Sequence, residues 1–554
     1  MAAKEPPSGV RPNLVFGLVG AVGTDLRAVS DDISQVMLAF GYDCHEIRLS
    51  GLITTTPLSR SKRSGRRTMP EDARISGLMD AGNRIRAAAK DAGAVALLAI
   101  QEMYAVKATH VTGEHTRPQC FILNSLKHKD EVDLLRSVYG RSFFCISIQA
   151  ALKERLDRLT QVIGRGHRRP ANDVVEGARY LTERDQNEPD NKYGQNVRDA
   201  FCQADVFVRS GAEQHVQLER FVRLLFGDPT VTPTFEEHAM FHAKAAGLRS
   251  ADLSRQVGAA IVSSEGQIVG VGCNEVPKPG GGHFWPFLHD VDQDDRDFRY
   301  GQDPNARMIR EMLNEVILNL KKKRWFNKRI AARKDTQSLV EELFTPGEKS
   351  GFKELRAGNL IEFGRIVHAE MSAITDAARR GVSVERTYLV CTTFPCHMCA
   401  RHIISSGISK VWYIEPYPKS LTADLYADAV SIDPAELESK DGKVVFSSFI
   451  GVSPIKFVDL FSYRKGKTSE GYAIDWTPTA EMFPRIYEPE LTPAMLEVVA
   501  LGRLTSLESA TASHRHQPTK STSKRQKSAR RQQKNTRRSA SPSRVQRKGA
   551  RRRQ

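Results

Sequence analysis

Val367-His368-Ala369-Glu370, answered downstream by Pro395-Cys396-His397-Met398-Cys399, is the stretch from which the rest of the chain can be read. One imidazole and two thiolates fill three corners of a tetrahedral zinc site and leave the fourth for water, the arrangement of a catalytic rather than a structural zinc. The glutamate two residues after the histidine is the natural proton carrier beside it. A structural zinc knuckle needs a fourth ligand close by, and none is paired at knuckle spacing.

The flanking sequence predicts a scaffold for these residues. A helix runs from Ala369 to Arg380 and stops at Gly381, and Tyr388–Thr392 reads as a strand. Pro395 is placed as the first residue of a helix carrying Cys396 to Ser405, and Ser409–Ile414 is a further strand. Cys396 and Cys399, three apart, then face the same way in a first turn, where the positive end of the dipole favours the thiolate that zinc requires.

Upstream, Phe235–Arg249 has apolar positions at helical spacing. Val257–Val262 and Ile268–Asn274, joined by Ser263–Gly266, read as a hairpin. His238 and His242 lie four apart on the helix but lack a third metal partner. The hairpin exits through Asn274-Glu275-Val276-Pro277 and Gly280-Gly-Gly-His-Phe-Trp285. Asn274 can hydrogen-bond a sugar hydroxyl or a base carbonyl there, and Trp285 can stack on a ring or simply pack. Residues 286–360 form a long insert, acidic at Asp290–Asp297, helix-like from Ala306 to Leu320 and basic from Lys321 to Arg329. A solvated basic helix end is the plain reading of it, a lid or subunit contact the functional one.

The first 228 residues read differently. Asn13–Val19 is a short apolar run, followed by Gly20-Ala-Val-Gly23-Thr24-Asp25 and an amphipathic stretch from Leu26 to Phe40. Strand, glycine turn and helix are how a phosphate-cradling loop begins. The full pattern G-x-x-x-x-G-K-[ST] is not met, since no lysine follows Gly23. Ala94–Ile100, Phe143–Ile148 and Ala204–Val208 are read as strands with helices between them, which predicts a doubly wound α/β domain.

Composition restricts the partners. The formal charge is +17, but sixteen Lys and Arg and no Asp or Glu lie between Arg515 and Gln554, so the preceding 514 residues carry +1. That tail has almost no apolar residues, is expected to be disordered, and can grip a polyanion or simply solubilise the chain. Eight cysteines with one C-x-x-C pair suit a reducing cytosol rather than a disulfide framework. With no secretory pattern and no apolar run of about 20 residues, the expectation is a cytoplasmic protein without membrane contact.

The H-x-E…P-C-x-x-C spacing, the predicted helix-hairpin-helix-strand-helix-strand order, and Gly272–Pro277 with Thr392–Cys399 resemble the zinc-dependent deoxycytidylate deaminases more than the cytidine deaminases or tRNA-adenosine enzymes. The first half resembles the P-loop nucleotide kinases, with Arg184-Asp185 where their lid residues lie. Joined, the two halves resemble the bacterial anti-phage dCTP/dCMP deaminases. The resemblance implies a degenerate, regulatory kinase-like domain at 11–228, a deaminase-like α/β/α domain at 234–500, and a disordered tail at 511–554. It implies Zn2+ held by His368, Cys396 and Cys399, with Glu370 as acid and base. Asn274, Trp285, Tyr417 and Lys419 are candidates for the substrate, which would be dCTP or dCMP. Gly17, Gly20, Gly23, Thr24 and Arg184 are candidates for a nucleotide effector. An inhibitory RNA or other polyanion on the tail and a homo-oligomeric assembly are further expectations. The alternative is a polynucleotide deaminase that grips nucleic acid through the tail.

Overall fold

Leu14–Gly20 is almost wholly apolar and every residue in it is buried, as a strand paired on both edges and covered on both faces must be. It is the central strand of the first of two six-stranded sheets. The computed structural model describes residues 11–515 except 57–68, 111–116, 166–169, 190, 287–293, 334, 345–354, 356, 358–359, 416–419, 434–441, 463–464 and 490. Its first half runs β1 (Leu14–Gly20), α1 (Leu26–Leu38), β2 (Asp43–Arg48), α2 (Leu49–Thr55), α3 (Glu71–Ala89), α4 (Ala94–His110), β3 (Gln119–Asn124), α5 (Lys129–Tyr139), β4 (Phe143–Gln149), α6 (Leu152–Gly164), α7 (Ala171–Gln186), α8 (Val197–Phe201), β5 (Val206–Arg209) and α9 (Gln214–Leu225). The strands lie parallel in the order β2-β3-β1-β4-β5.

One reading from the sequence is corrected here. Ala94–Ile100, expected as a strand, is the first two turns of α4, and the strand beside β1 is Gln119–Asn124. Three alanines and two leucines are strong helix formers, and a run buried on every side has no period to separate helix from strand.

The second half runs α10 (Phe235–Gly247), β6 (Gly258–Val262), β7 (Ile268–Cys273), α11 (Pro304–Lys322), α12 (Lys328–Ala331), α13 (Gln337–Phe344), α14 (Ala369–Arg379), β8 (Tyr388–Cys391), α15 (His397–Ser405), β9 (Lys410–Tyr413), α16 (Thr422–Leu425), β10 (Val430–Ile432), β11 (Val444–Ser448), β12 (Gly451–Val452), α17 (Phe457–Phe461) and α18 (Leu491–Arg515). The second sheet has the order β10-β11-β9-β8-β6-β7, antiparallel around β6 and parallel from β8 to β10. Both sheets belong to one compact unit that runs to Leu504, and the residues from Thr505 form a separate one. Among the described residues no helix is long and apolar enough to cross a membrane.

The chain returns to its first sheet late. β12 pairs antiparallel with β5, and Val452, Leu460 and Ile486 join the core formed by β1, α1 and α9. The sequence reading groups these residues with the second segment, yet they pack on the first. A buried carboxylate fixes the junction: Glu237 caps α10, accepts two bonds from Arg220 on α9 and one from the Val452 amide.

Two helices sit on the β6–β7 hairpin at distances that only glycine allows. A Cβ on Gly258 would lie 1.7 Å from the Ala243 carbonyl of α10, and one on Gly272 would lie 2.2 Å from the Ala369 carbonyl of α14. Gly272→Ala is therefore expected to push α14 off the sheet and cost about 3 kcal/mol in a urea titration. Gly270→Ala, whose Cβ would meet only the flexible end of Arg380 and a carbonyl at 3.6 Å, should cost well under about 1 kcal/mol.

Candidate metal centre

His368 is carried at the very start of α14 and is fixed there from both sides. Val367 and Glu275 exchange backbone hydrogen bonds of 3.1 and 3.2 Å, which ties the chain before the histidine to the exit of the β6–β7 hairpin. The His368 carbonyl accepts the first helical bond, from Ser372, at 2.8 Å. Glu275 is itself buried, with its carboxylate taken by the Ala251 and Val276 amides and with Arg296 at 3.8 Å.

The cysteines arrive from β8. Helix α15 begins at His397, so Pro395 is not its first residue; Cys396 is the N-cap, with extended backbone (φ −70°, ψ 165°), and Cys399 sits in the first turn. The N-termini of α14 and α15 thus both open toward the same point, where their dipoles favour negative charge.

The three side chains meet. Cys396 Sγ lies 3.4 Å from His368 Nδ1, Cys399 Sγ lies 3.3 Å from it, and the two sulfurs are 3.6 Å apart. Zinc bonds of about 2.3 Å to sulfur and 2.0–2.1 Å to nitrogen at tetrahedral angles span edges of about 3.8 and 3.5 Å. The observed triangle fits that face. It is the one group of three or more such ligands among the described residues whose donor atoms converge. His238 and His242 do lie with Nε2 atoms 3.1 Å apart, but nothing completes a site around them among the described residues.

Charge in the cluster is unevenly shared. The Cys396 thiol is pulled down to about 4 by its hydrogen bond with Cys399 and by His368, while Cys399 is pushed up by the same bond and by burial. His368 is raised, chiefly by Cys396. Glu370, 3% exposed, has Oε2 3.4 Å from Cys399 Sγ, and burial lifts its carboxyl above the usual range. Cys391 at the end of β8 is buried beside it and is pushed up by burial and by Glu370. Because a group with a lowered pKa is ionised above that value, metal-stripped protein at pH 6 is expected to be alkylated by iodoacetamide at Cys396 well before Cys399 or Cys391. Zinc should protect it, and peptide mass spectrometry reads the difference.

The other candidates fall as follows. Asn274 is buried with its amide committed to the backbone, accepting from Val257 at 2.7 Å and donating to the Arg255 carbonyl at 2.8 Å. It shapes the 250–257 loop. Trp285 is 45% exposed and carries the Arg249 guanidinium 3.8 Å over its ring, so one face is already covered. Its loop is tied to α14 by His283, whose Nε2 lies 3.0 Å from Ser372 Oγ. Tyr417 and Lys419 lie outside the described residues, as does the basic tail beyond Arg515.

In the first half, Gly17 is inside β1, Gly20 ends it, and Gly23 and Thr24 form the turn before α1. A lysine from elsewhere in the chain reaches this turn. Lys127, in the turn after β3, donates to the Gly20 carbonyl at 3.0 Å and to Asp185 at 2.9 Å. The other Asp185 oxygen accepts from the Val22 amide at 2.7 Å, and a Cβ on Gly23 would strike the Arg155 carbonyl at 2.7 Å. The donors that a phosphate would use are held by this buried carboxylate. Arg184 points away, to Ser76, Asp80 and Glu188. Lys127→Ala removes the cation from the buried Asp185 carboxylate and should cost about 3 kcal/mol, read as a lowered midpoint in denaturant.

Sequence reasoning could not have found Lys127, because its partners Gly20 and Asp185 are 107 and 58 residues away. Glu275 stood in view beside Asn274, and its burial was the missing signal.

Residues 233–415 match the family model of the cytidine and deoxycytidylate deaminase zinc-binding region. A 54-residue stretch, 10% of this chain, is 46% identical to deoxycytidylate deaminase of Enterobacteria phage T4, covering 28% of that protein. Seventy-six residues, 13% of this chain, are 36% identical to ComE operon protein 2 of Bacillus subtilis (strain 168), covering 40% of it. The chain thus spans less than half the length of these relatives. The solved dCMP deaminase from cyanophage S-TIM5, in complex with dCMP and dUMP, aligns over 39% of this chain and 98% of its own at 18% identity and a TM-score of 0.20. Residues 233–415 therefore resemble the zinc-binding region of the cytidine and deoxycytidylate deaminases, and the His368, Cys396 and Cys399 cluster lies within the matched residues.

Proposed function

We propose that the chain is a zinc-dependent hydrolytic deaminase that converts deoxycytidine nucleotides, dCTP or dCMP, to the corresponding deoxyuridine nucleotides. The observation that carries this is the His368, Cys396, Cys399 triangle with the buried Glu370 carboxyl against it, inside a domain of that family. His368 Nδ1 and the two sulfurs would hold zinc, which when bound acts as a Lewis acid that brings a water molecule to ionisation near neutral pH. Glu370 has the burial and the raised carboxyl that suit a proton carrier. Its Oε2 takes one proton of the attacking water and passes it to ring N3, then takes the second from the hydroxyl added at C4 and gives it to the amino nitrogen, which leaves as ammonia while the C4 carbonyl forms. The aminopyrimidine becomes a pyrimidinone.

Several finer assignments belong to the same proposal. Asn274 borders the substrate through the 255–257 backbone, which its amide holds by two bonds. The first half is a control or docking element rather than a kinase, which the Asp185-filled turn supports. A role in depleting dCTP during phage infection, with an RNA or other polyanion on the tail, rests on the resemblance of the joined halves.

Purified zinc-loaded protein incubated with dCTP, dCMP, cytidine and single-stranded DNA is expected to yield deoxyuridine nucleotides, followed by mass spectrometry. Turnover of the polynucleotide alone would overturn the reading. Glu370→Gln should keep one zinc per chain and lose activity by about a thousandfold.

A further inference from the structure

Two contacts from residues at and beyond the end of β9 lie against the cysteine turn. Tyr413, the last residue of β9, stands edge-on to Phe394 with ring centroids 4.7 Å apart, and Phe394 is two residues before Cys396. Farther along, the Thr422 hydroxyl donates to the Pro395 carbonyl at 3.5 Å, immediately before Cys396. Both contacts are buried. Between them sits Glu415, 5% exposed.

Glu415 is held by the other half of the molecule. Arg198 on α8 directs its Nε at both carboxylate oxygens, 3.0 and 3.2 Å away, and the Cys202 sulfur one turn later lies 3.9 Å from the Ile414 carbonyl. Helix α8 has little freedom of its own. Val197, Ala200 and Phe201 are buried, the Phe201 carbonyl accepts from Ser147 of β4, and the Asn196 amide donates to the carbonyl of Lys127, the residue that fills the turn after β1. Contacts and the short peptide link from Glu415 to Tyr413 therefore run from the glycine turn of the first sheet to Phe394, two residues before Cys396.

We infer that Arg198 is a positioning residue for the metal centre: through Glu415 it fixes the end of β9, whose Tyr413 packs on Phe394 beside the Pro395–Cys396 turn, and so sets both the hold on zinc and the rate of turnover. The pair is well placed for this. Glu415 is buried and Arg198 faces both of its oxygens, so a shift of α8 must move the end of β9 with it or break the pair. The effect on turnover rests on the deaminase reading; the effect on metal retention does not.

The test uses the full chain, loaded with zinc for kinetics and titrated with Co2+ for affinity through its thiolate absorption bands. The variants are Arg198→Ala, Arg198→Lys, Glu415→Gln and the swap Arg198→Glu with Glu415→Arg. Arg198→Ala should weaken Co2+ binding about tenfold and lower kcat about tenfold, with KM for dCMP changed less than about twofold. Arg198→Lys should recover part of both, and the swap most of both. A variant that melts earlier yet keeps wild-type Co2+ affinity and wild-type kcat per zinc would reduce the pair to glue between the halves and overturn the inference. Losses that the swap leaves unrepaired would overturn it too. Should Arg198→Ala fail to fold, Arg198→Lys and Glu415→Gln carry the same comparison. If the wild type turns over no deoxycytidine nucleotide, the proposed activity fails, while the Co2+ affinities still decide the role of Arg198.

Discussion

An imidazole nitrogen, two sulfurs and a carboxylate cannot share a space where the closest pairs are 3.3–3.6 Å apart unless protons or a cation lie among them. That electrostatic demand is the constraint on which the second sheet is built. The helices that carry His368 and Cys399 aim their positive ends inward, and glycines at 258 and 272 remove the side chains that would hold the neighbouring helices away. The backbone exchange between Val367 and Glu275 then removes the remaining freedom before His368. Each device acts on position, and the chemistry of the donors does the rest.

The same logic of a buried carboxylate answered by a distant cation recurs through the molecule. Arg86 pairs with Glu131, Lys127 with Asp185, Arg136 with Asp205, Arg220 with Glu237 and Arg198 with Glu415, and each acidic partner has 6% or less of its side chain exposed. Such pairs add little net stability over apolar packing, but removing one partner is expensive. They therefore specify which segments must lie together. Two of them, at Glu237 and Glu415, join elements of the first sheet's layers to elements of the second's.

What could be read from the sequence followed from locality. The ligand triad, Glu370 and the order of helix, hairpin, helix and strand around them depend on residues within a few turns of one another, and the structure brings them together as the spacing implies. Ala94–Ile100 was misread because burial on all sides erases periodicity, and the start of α15 because a proline two residues ahead of a helix looks like one at its first position. Lys127 and Arg198 were invisible for a different reason. Each acts on a partner dozens to hundreds of residues away, and a single lysine or arginine in a polar stretch carries no mark of its future neighbour.

The return of the chain to its first sheet at β12 has a consequence for how the protein is made. The parallel core around β1 is not complete until Val452, Leu460 and Ile486 have been synthesised, more than two hundred residues after β5 has emerged. Until then β5 has a bare edge and α1 and α9 an uncovered apolar surface, the features that invite chaperones and mispairing on a ribosome. The deaminase-family segment is thus threaded as a long excursion between two strands of one sheet, and its own sheet has time to close first. Assembly from the middle outward would give a segment proposed to be catalytic that is folded before the half proposed to govern it.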